Sequence, residues 1–174
     1  MISTESNVSP FERPPEEGEI VRDLGMTSPR GERMSLSQFS GAKNLILVLG
    51  KDEKAGRFLQ MLADSYSAIR EEDGLVLGIV PVASRQAALF LRHQHGWPFS
   101  LIGDEALHWH RCLGALIYPD RPVAAALITD RYRQIVLARR TQRLQALPTI
   151  EEVLQQLRSL TLQCPECGVS EWPA

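Results

Sequence analysis

The chain has 174 residues, 44% of them hydrophobic and 23% charged, and 19 basic against 21 acidic side chains leave a formal net charge of −2. That length supports one domain with a substantial core, and the charge balance gives no electrostatic case for nucleic acid. The longest apolar run, Val123 to Ile128, is six residues, against the ~20 needed to span a bilayer, so no membrane partner is expected. The polar, acidic start has no apolar stretch of a secretory signal, and three cysteines do not make a disulfide framework. A cytoplasmic location is therefore the expectation.

Residues 1–15, which carry Pro10, Pro14 and Pro15, show neither helical nor strand periodicity and are expected to form a flexible arm. Gly18 to Ser40 is expected to form a short hairpin. Ile20, Arg22 and Leu24 would share one face of its first strand, Pro29-Arg30-Gly31 would turn it, and Arg33 to Leu36 would return. Asn44 to Gly50 is a continuous apolar run ended by glycine, the pattern of a strand buried on both faces. Ala55, Phe58, Leu59, Leu62, Tyr66 and Ile69 then recur at spacings of three and four, which predicts one amphipathic helix.

Leu75 to Val80 reads as a second buried strand, and Ser84 as the N-cap of a helix ended at Gly96. Phe99 to Ile102 is a short strand. Asp104 is placed to cap a brief helix that turns Ala106, Leu107, His110 and Leu113 inward. Pro122 to Thr129 is a third apolar strand, and Gln134 to Arg139 alternates as a half-buried one. Thr149-Ile150-Glu151-Glu152 is a capping-box signature before the apolar stripe of Ile150, Val153, Leu154, Leu157 and Leu160. Strands alternating with helices, followed by a strand pair and a last helix, predict an α/β protein of the thioredoxin-like fold. Its central mixed β-sheet is flanked by helices and preceded by an N-terminal β-hairpin. The expected domain spans 16–162, between the arm of 1–15 and a C-terminal tail of 163–174.

Six segments resemble the peroxiredoxin branch of the thioredoxin-like superfamily, the alkyl hydroperoxide reductase and thiol-specific antioxidant group. Gly18 to Leu24, then Met34-Ser35-Leu36-Ser37-Gln38-Phe39-Ser40-Gly41, look like that family's hairpin and following turn. Leu45 to Leu49 resembles the strand that enters its active site. Leu75 to Val80 and His95-Gly96-Trp97-Pro98-Phe99 are similar to its next strand and the segment after it. Arg121-Pro122-Val123 and Leu127-Ile128-Thr129-Asp130 resemble a later strand, and the order of the segments matches. The resemblance implies a redoxin with an antioxidant role, a thioredoxin-type reductant or another protein partner, and a homodimer.

It also implies a cysteine that opens the helix after the first buried strand, in a Pro-x-x-x-Thr-x-x-Cys motif. This chain has Gly50-Lys51-Asp52-Glu53-Lys54-Ala55-Gly56-Arg57 there, and no cysteine occurs before Cys112. Peroxide reduction requires a thiolate, so peroxidase activity is not expected at this position and a pseudoenzyme is one reading. Arg121 matches the family's arginine beside the thiolate, and Pro122 its facing proline, which leaves either an anion-favouring ligand pocket or an inherited turn. The same segment is not a phosphate loop, because Gly56-Arg57-Phe58 offers neither the lysine nor the hydroxyl that motif needs.

Cys164-Pro165-Glu166-Cys167 is the sharpest local motif, and it supports two chemistries. As a redox pair, Cys164 would attack and Cys167 resolve, although the pair follows the last helix and does not open one. As a metal site, Cys164 and Cys167 followed by Gly168 look like half of a zinc-ribbon knuckle, needing two more ligands from histidines or a second chain. Exposed thiols of no special role are the third reading, and a non-catalytic binding or assembly module is the corresponding alternative for the whole chain.

His108 and Cys112 share a helix face, where core filling explains them better than a metal. His93 and His95 fall at a helix end, where histidines often meet the last carbonyls. Trp97 and Trp109 are expected in the core or a pocket wall, and Trp172 as an anchor of the tail. Arg131, Arg133, Arg139, Arg140 and Arg143 crowd the last hairpin and the loop after it, as a solvated face or a site for an acidic partner or small anion.

Overall fold

A computed structural model describes residues 13–27, 31–118 and 120–163. Two hydrophobic layers lie on opposite faces of one five-stranded sheet, and strand alternation accounts for both. In β3 (Asn44–Leu49) every residue is buried. Its odd positions Leu45, Leu47 and Leu49 enter one layer, and its even positions Ile46 and Val48 enter the other.

The chain first forms the antiparallel pair β1 (Gly25–Thr27) and β2 (Arg33–Ser35). β3 leads into α1 (Glu53–Asp64) and α2 (Tyr66–Glu71), then β4 (Gly74–Val80), α3 (Arg85–His95) and β5 (Ser100–Gly103). α4 (His108–Cys112) precedes a small antiparallel pair, β6 (Leu116–Ile117) and β7 (Arg121–Pro122). β8 (Ala125–Thr129), β9 (Ile135–Arg140) and α5 (Ile150–Leu162) complete the order. The main sheet runs β5-β4-β3-β8-β9. β4 is parallel to β3 and to β5, while β8 is antiparallel to both β3 and β9. This is the expected mixed sheet. Phe58, Leu59 and Leu62 of α1, Ile69 of α2, Ala88 of α3, and Val153 and Leu157 of α5 cover one face. The hairpin region and α4 cover the other through Val21, Leu24, Trp109 and Leu113.

The helix ends follow their expected chemistry. The Ser84 hydroxyl accepts from the Ala87 amide, and α3 stops at Gly96. Thr149 and Glu152 complete a reciprocal capping box at the start of α5.

Four local expectations are corrected. Ile20, Arg22 and Leu24 do not share the face of a strand: β1 begins only at Gly25, and Ile20 is 63% exposed whereas Val21 and Leu24 are buried. Their spacing of three suits the irregular backbone that precedes β1. The helix expected to run to Ile69 breaks at Ser65, which ends α1 and starts α2. Asp104 is not the N-cap residue of α4, although its carboxylate accepts the His110 amide in the helix's first turn. The cap position is Leu107 at φ 55°, Ala106 is exposed, and the Asp104 carboxylate also meets the His110 imidazole. The strand expected over Pro122 to Thr129 is divided, with Val123 and Ala124 between β7 and β8.

Of the arm expected over 1–15, residues 13–15 are described, and Pro15 presents its carbonyl to Arg140 Nη2 at 2.6 Å. Cys164, Cys167 and Trp172 lie outside the described residues.

Candidate functional site

The parallel strands β3 and β4 deliver their C-terminal ends to the start of α1. The Asp52 side chain closes that helix by accepting from the Ala55 amide at 2.8 Å. Across from it, the register of β6 and β7 sets Ile117 opposite Arg121 and Leu116 opposite Pro122. The Val123 amide ties the segment to the Ala115 carbonyl at 2.9 Å. The result is a cleft of about 340 Å³ lined by Lys51, Asp52, Pro81, Arg121, Pro122 and Val123. The structure therefore brings Arg121 and Pro122, more than seventy sequence positions from the end of β3, beside the helix start.

Lys51 and Asp52 also line a second hollow of about 460 Å³ that runs along α1 past Gly56 and Gln60 to His95 and Trp97. Trp97 is buried, donates its indole N–H to Gln60 Oε1 at 3.0 Å, and stacks on His95 with ring centroids 4.4 Å apart. His95 thus serves as the outer face of an aromatic stack, which the helix-end reading did not foresee.

Among the described residues, neither Lys51 nor Arg121 has a hydrogen bond or ion pair with another side chain. Two cations beside a helix start favour an anion, and the Asp52 carboxylate opposes one. Among the described residues, none lining this cleft is a thiol, hydroxyl or imidazole that could attack a bond.

Cys112 lies elsewhere. It packs with the layer under the hairpin and α4, on the sheet face opposite α1. Its Sγ is 3.8 Å from His108 Nε2, so the helical spacing does bring these two together. Among the described residues, no group of three or more potential metal ligands is assembled.

His110 is fully buried, with Nδ1 2.7 Å from Asp104 Oδ2, and its own amide donates to the same oxygen at 2.9 Å. Burial pushes the Asp104 pKa up, but the imidazole, the amides of His110 and Trp109, and the imidazole's charge outweigh it. The carboxyl is held below its ordinary range. His110 Nε2 has no partner. Sequence reading placed His110 on the apolar side of α4 without seeing this pair.

Four of the five arginines, Arg133, Arg139, Arg140 and Arg143, form an internal clamp on the start of the chain. Arg140 is 1% exposed, and its Nε donates to the Leu113 carbonyl at 2.9 Å. Glu16 lies 3.7 Å from Arg140 and 2.8 Å from Arg143, and Glu17 lies 3.4 Å from Arg139. Arg133 faces Asp23 at 3.7 Å. The acidic partner is the protein's own N-terminal segment, which replaces the solvated-face reading for these residues.

No family model matches the sequence, and a search of curated proteins finds no relative. Solved structures do match. AhpC of Mycobacterium bovis superposes with a TM-score of 0.69 at 15% identity, over 93% of this chain and 100% of that one. The mitochondrial 2-Cys peroxiredoxin of Plasmodium falciparum gives 0.68 at 16% identity, over 83% and 94%. Peroxiredoxin Q of Xanthomonas campestris gives 0.65 at 16%, over 82% and 96%. The fold is that of the peroxiredoxins. Within this peroxiredoxin fold the residues at the start of α1 are Lys51, Asp52 and Glu53. Among the described residues, no helix is long and apolar enough to cross a membrane.

Proposed function

We propose that this chain is a redoxin-family protein, related to the peroxiredoxins, that does not reduce peroxides at α1 and whose thiol chemistry rests on Cys164 and Cys167. One observation carries the reading. The helix start that faces Arg121 and Pro122 is capped by the Asp52 carboxylate. A carboxylate cannot take the place of a thiolate in cleaving an O–O bond, and Cys112 sits across the sheet. The cleft of Arg121 and Pro122 then serves as a ligand pocket for an anionic group.

In the tail, the Cys164 thiolate would attack a substrate disulfide and expel one substrate thiolate. The Cys167 thiolate would then attack the Cys164 sulfur, release the second substrate thiolate, and leave the tail as a disulfide. A thioredoxin-type reductant would return two electrons and two protons to it. A cytoplasmic location belongs to the same reading.

The motif Cys164-Pro165-Glu166-Cys167-Gly168 itself favours a second reading, a non-catalytic module whose tail holds zinc. Two further ligands would then come from a second copy in a homodimer. The experiment that separates the readings is metal analysis of protein purified without chelator, with thiols counted before and after a mild disulfide oxidant. Loss of two thiols, restored by a thioredoxin system and absent in C164S/C167S, supports the redox tail. Half or one zinc per chain, with both thiols protected until chelation, overturns it in favour of the module.

A further inference from the structure

A cleft larger than the one at α1 lies elsewhere among the described residues. It opens between the β1–β2 hairpin, the start of α3 and the end of β5, has a volume of about 690 Å³, and shares no lining residue with the cleft of Arg121. That is the size range of small-molecule sites, which combine apolar walls with a few polar groups.

Its apolar wall is Met26, Met34, Ile102 and Trp109. Trp109 is held in place, since its indole N–H donates to the Gly25 carbonyl at 3.1 Å. Met26 and Met34 are directly paired across the hairpin, and their flexible thioethers adapt to irregular ligands.

Its cations are Arg33 and Arg85. Arg85 is half-buried, and among the described residues neither arginine has a hydrogen bond or ion pair. A β-carbon added to Gly31 would stand 3.1 Å from Arg85 Nη1, so the guanidinium lies close to the Gly31 backbone. A partly desolvated cation without a counter-ion is costly, and a bound carboxylate or sulfonate would meet it with paired N–H donors.

The acidic groups nearby do not fill that role. Asp104 lines the cleft but spends one carboxylate oxygen on the His110 imidazole and amide. Glu105 is exposed and has no ion pair among the described residues. His108 completes the polar lining.

We propose that this cleft binds a small anionic amphiphile, a carboxylate or sulfonate carried on an apolar body, with Arg33 and Arg85 taking the anion and the Met26, Met34 and Trp109 wall taking the body. The site is independent of the thiol chemistry above and would stand if that reading failed.

The test is a fluorescence titration of the full chain with 8-anilinonaphthalene-1-sulfonate and, in parallel, with the neutral N-phenyl-1-naphthylamine. The sulfonate should bind saturably at one site. R33Q/R85Q should weaken it by at least about tenfold while moving the neutral probe by less than about twofold. M34E, which sets a like charge in the wall, should also abolish sulfonate binding, and decides the matter if R33Q/R85Q does not fold by circular dichroism. K51Q/R121Q should leave the sulfonate affinity unchanged. No saturable binding, an affinity indifferent to R33Q/R85Q and to M34E, or a loss confined to K51Q/R121Q would overturn the assignment.

Discussion

Replacing Arg140 by methionine removes the guanidinium that joins three distant segments. Its Nε serves the Leu113 carbonyl at 2.9 Å and its Nη2 the Pro15 carbonyl at 2.6 Å, within a side chain that is 1% exposed. Methionine fills similar volume but leaves both carbonyls without a donor, at about 1–3 kcal/mol each. Glu16 keeps Arg143 at 2.8 Å and is partly solvated, so its loss of Arg140 adds little. Against this, the desolvation of the guanidinium, which depresses the Arg140 pKa, is relieved. The balance is a loss of about 3 kcal/mol, or roughly 6–12 °C in Tm for a chain of this size. Urea unfolding at pH 7, followed by the fluorescence of buried Trp97 and Trp109, measures it. E16Q in the same assay should cost no more than about 1 kcal/mol. A cost below about 1 kcal/mol for R140M, or equal costs for the two variants, would refute the clamp.

Three further outcomes follow from the same structure. Gly114→Ala places a β-carbon 2.2 Å from Pro14 Cβ at φ 70°, so it should cost ~1–2 kcal/mol for the backbone alone and more for the displaced arm; removing residues 1–14 should recover only the second part, and equal costs in both backgrounds would contradict the packing. Because the Asp104 pKa is lower folded than unfolded, its stabilisation is present above about pH 4 and lost below it. D104N should therefore lose less stability than the parent between pH 5 and pH 3 in urea titrations, and parallel profiles would exclude the pair as an acid-sensitive contact. Thr149→Ala, which deletes the bond from the Glu152 amide, should cost ~1 kcal/mol in the unfolding assay, and no change would deny the capping box a role.

The elements governed by local pattern were legible in the sequence. β3 and β4 are unbroken apolar runs, α3 and α5 carry their caps at the expected positions, and the order of segments led to the mixed sheet. Arg121 and Pro122 were found through a family resemblance, and the structure sets them beside Lys51 and Asp52. What was not legible depends on partners far apart in the chain. Arg140 and Pro15 are 125 positions apart, and nothing within either segment marks a buried cation. The start of β1 misled for a different reason: Ile20, Arg22 and Leu24 alternate like a strand, but only Ile20 makes a β-bridge, to Gln134, and burial falls on Val21 and Leu24. The cleft of Arg33 and Arg85 joins a hairpin, a helix start and a strand end, a combination no local window contains.

The functional reading turns on where the thiol chemistry sits. A peroxiredoxin-like fold in which Lys51 precedes α1, Asp52 caps it and Glu53 opens it has cationic and carboxylate groups where a nucleophile would be needed. Fold alone does not assign a reaction, so the site residues decide. The most direct measurement is NADPH consumption with thioredoxin and thioredoxin reductase, using a hydroperoxide and a protein disulfide as alternative substrates for the full chain and for C164S/C167S. The account predicts disulfide turnover by the full chain, its loss in C164S/C167S, and no peroxide turnover by either. Peroxide turnover that survives C164S/C167S would contradict it.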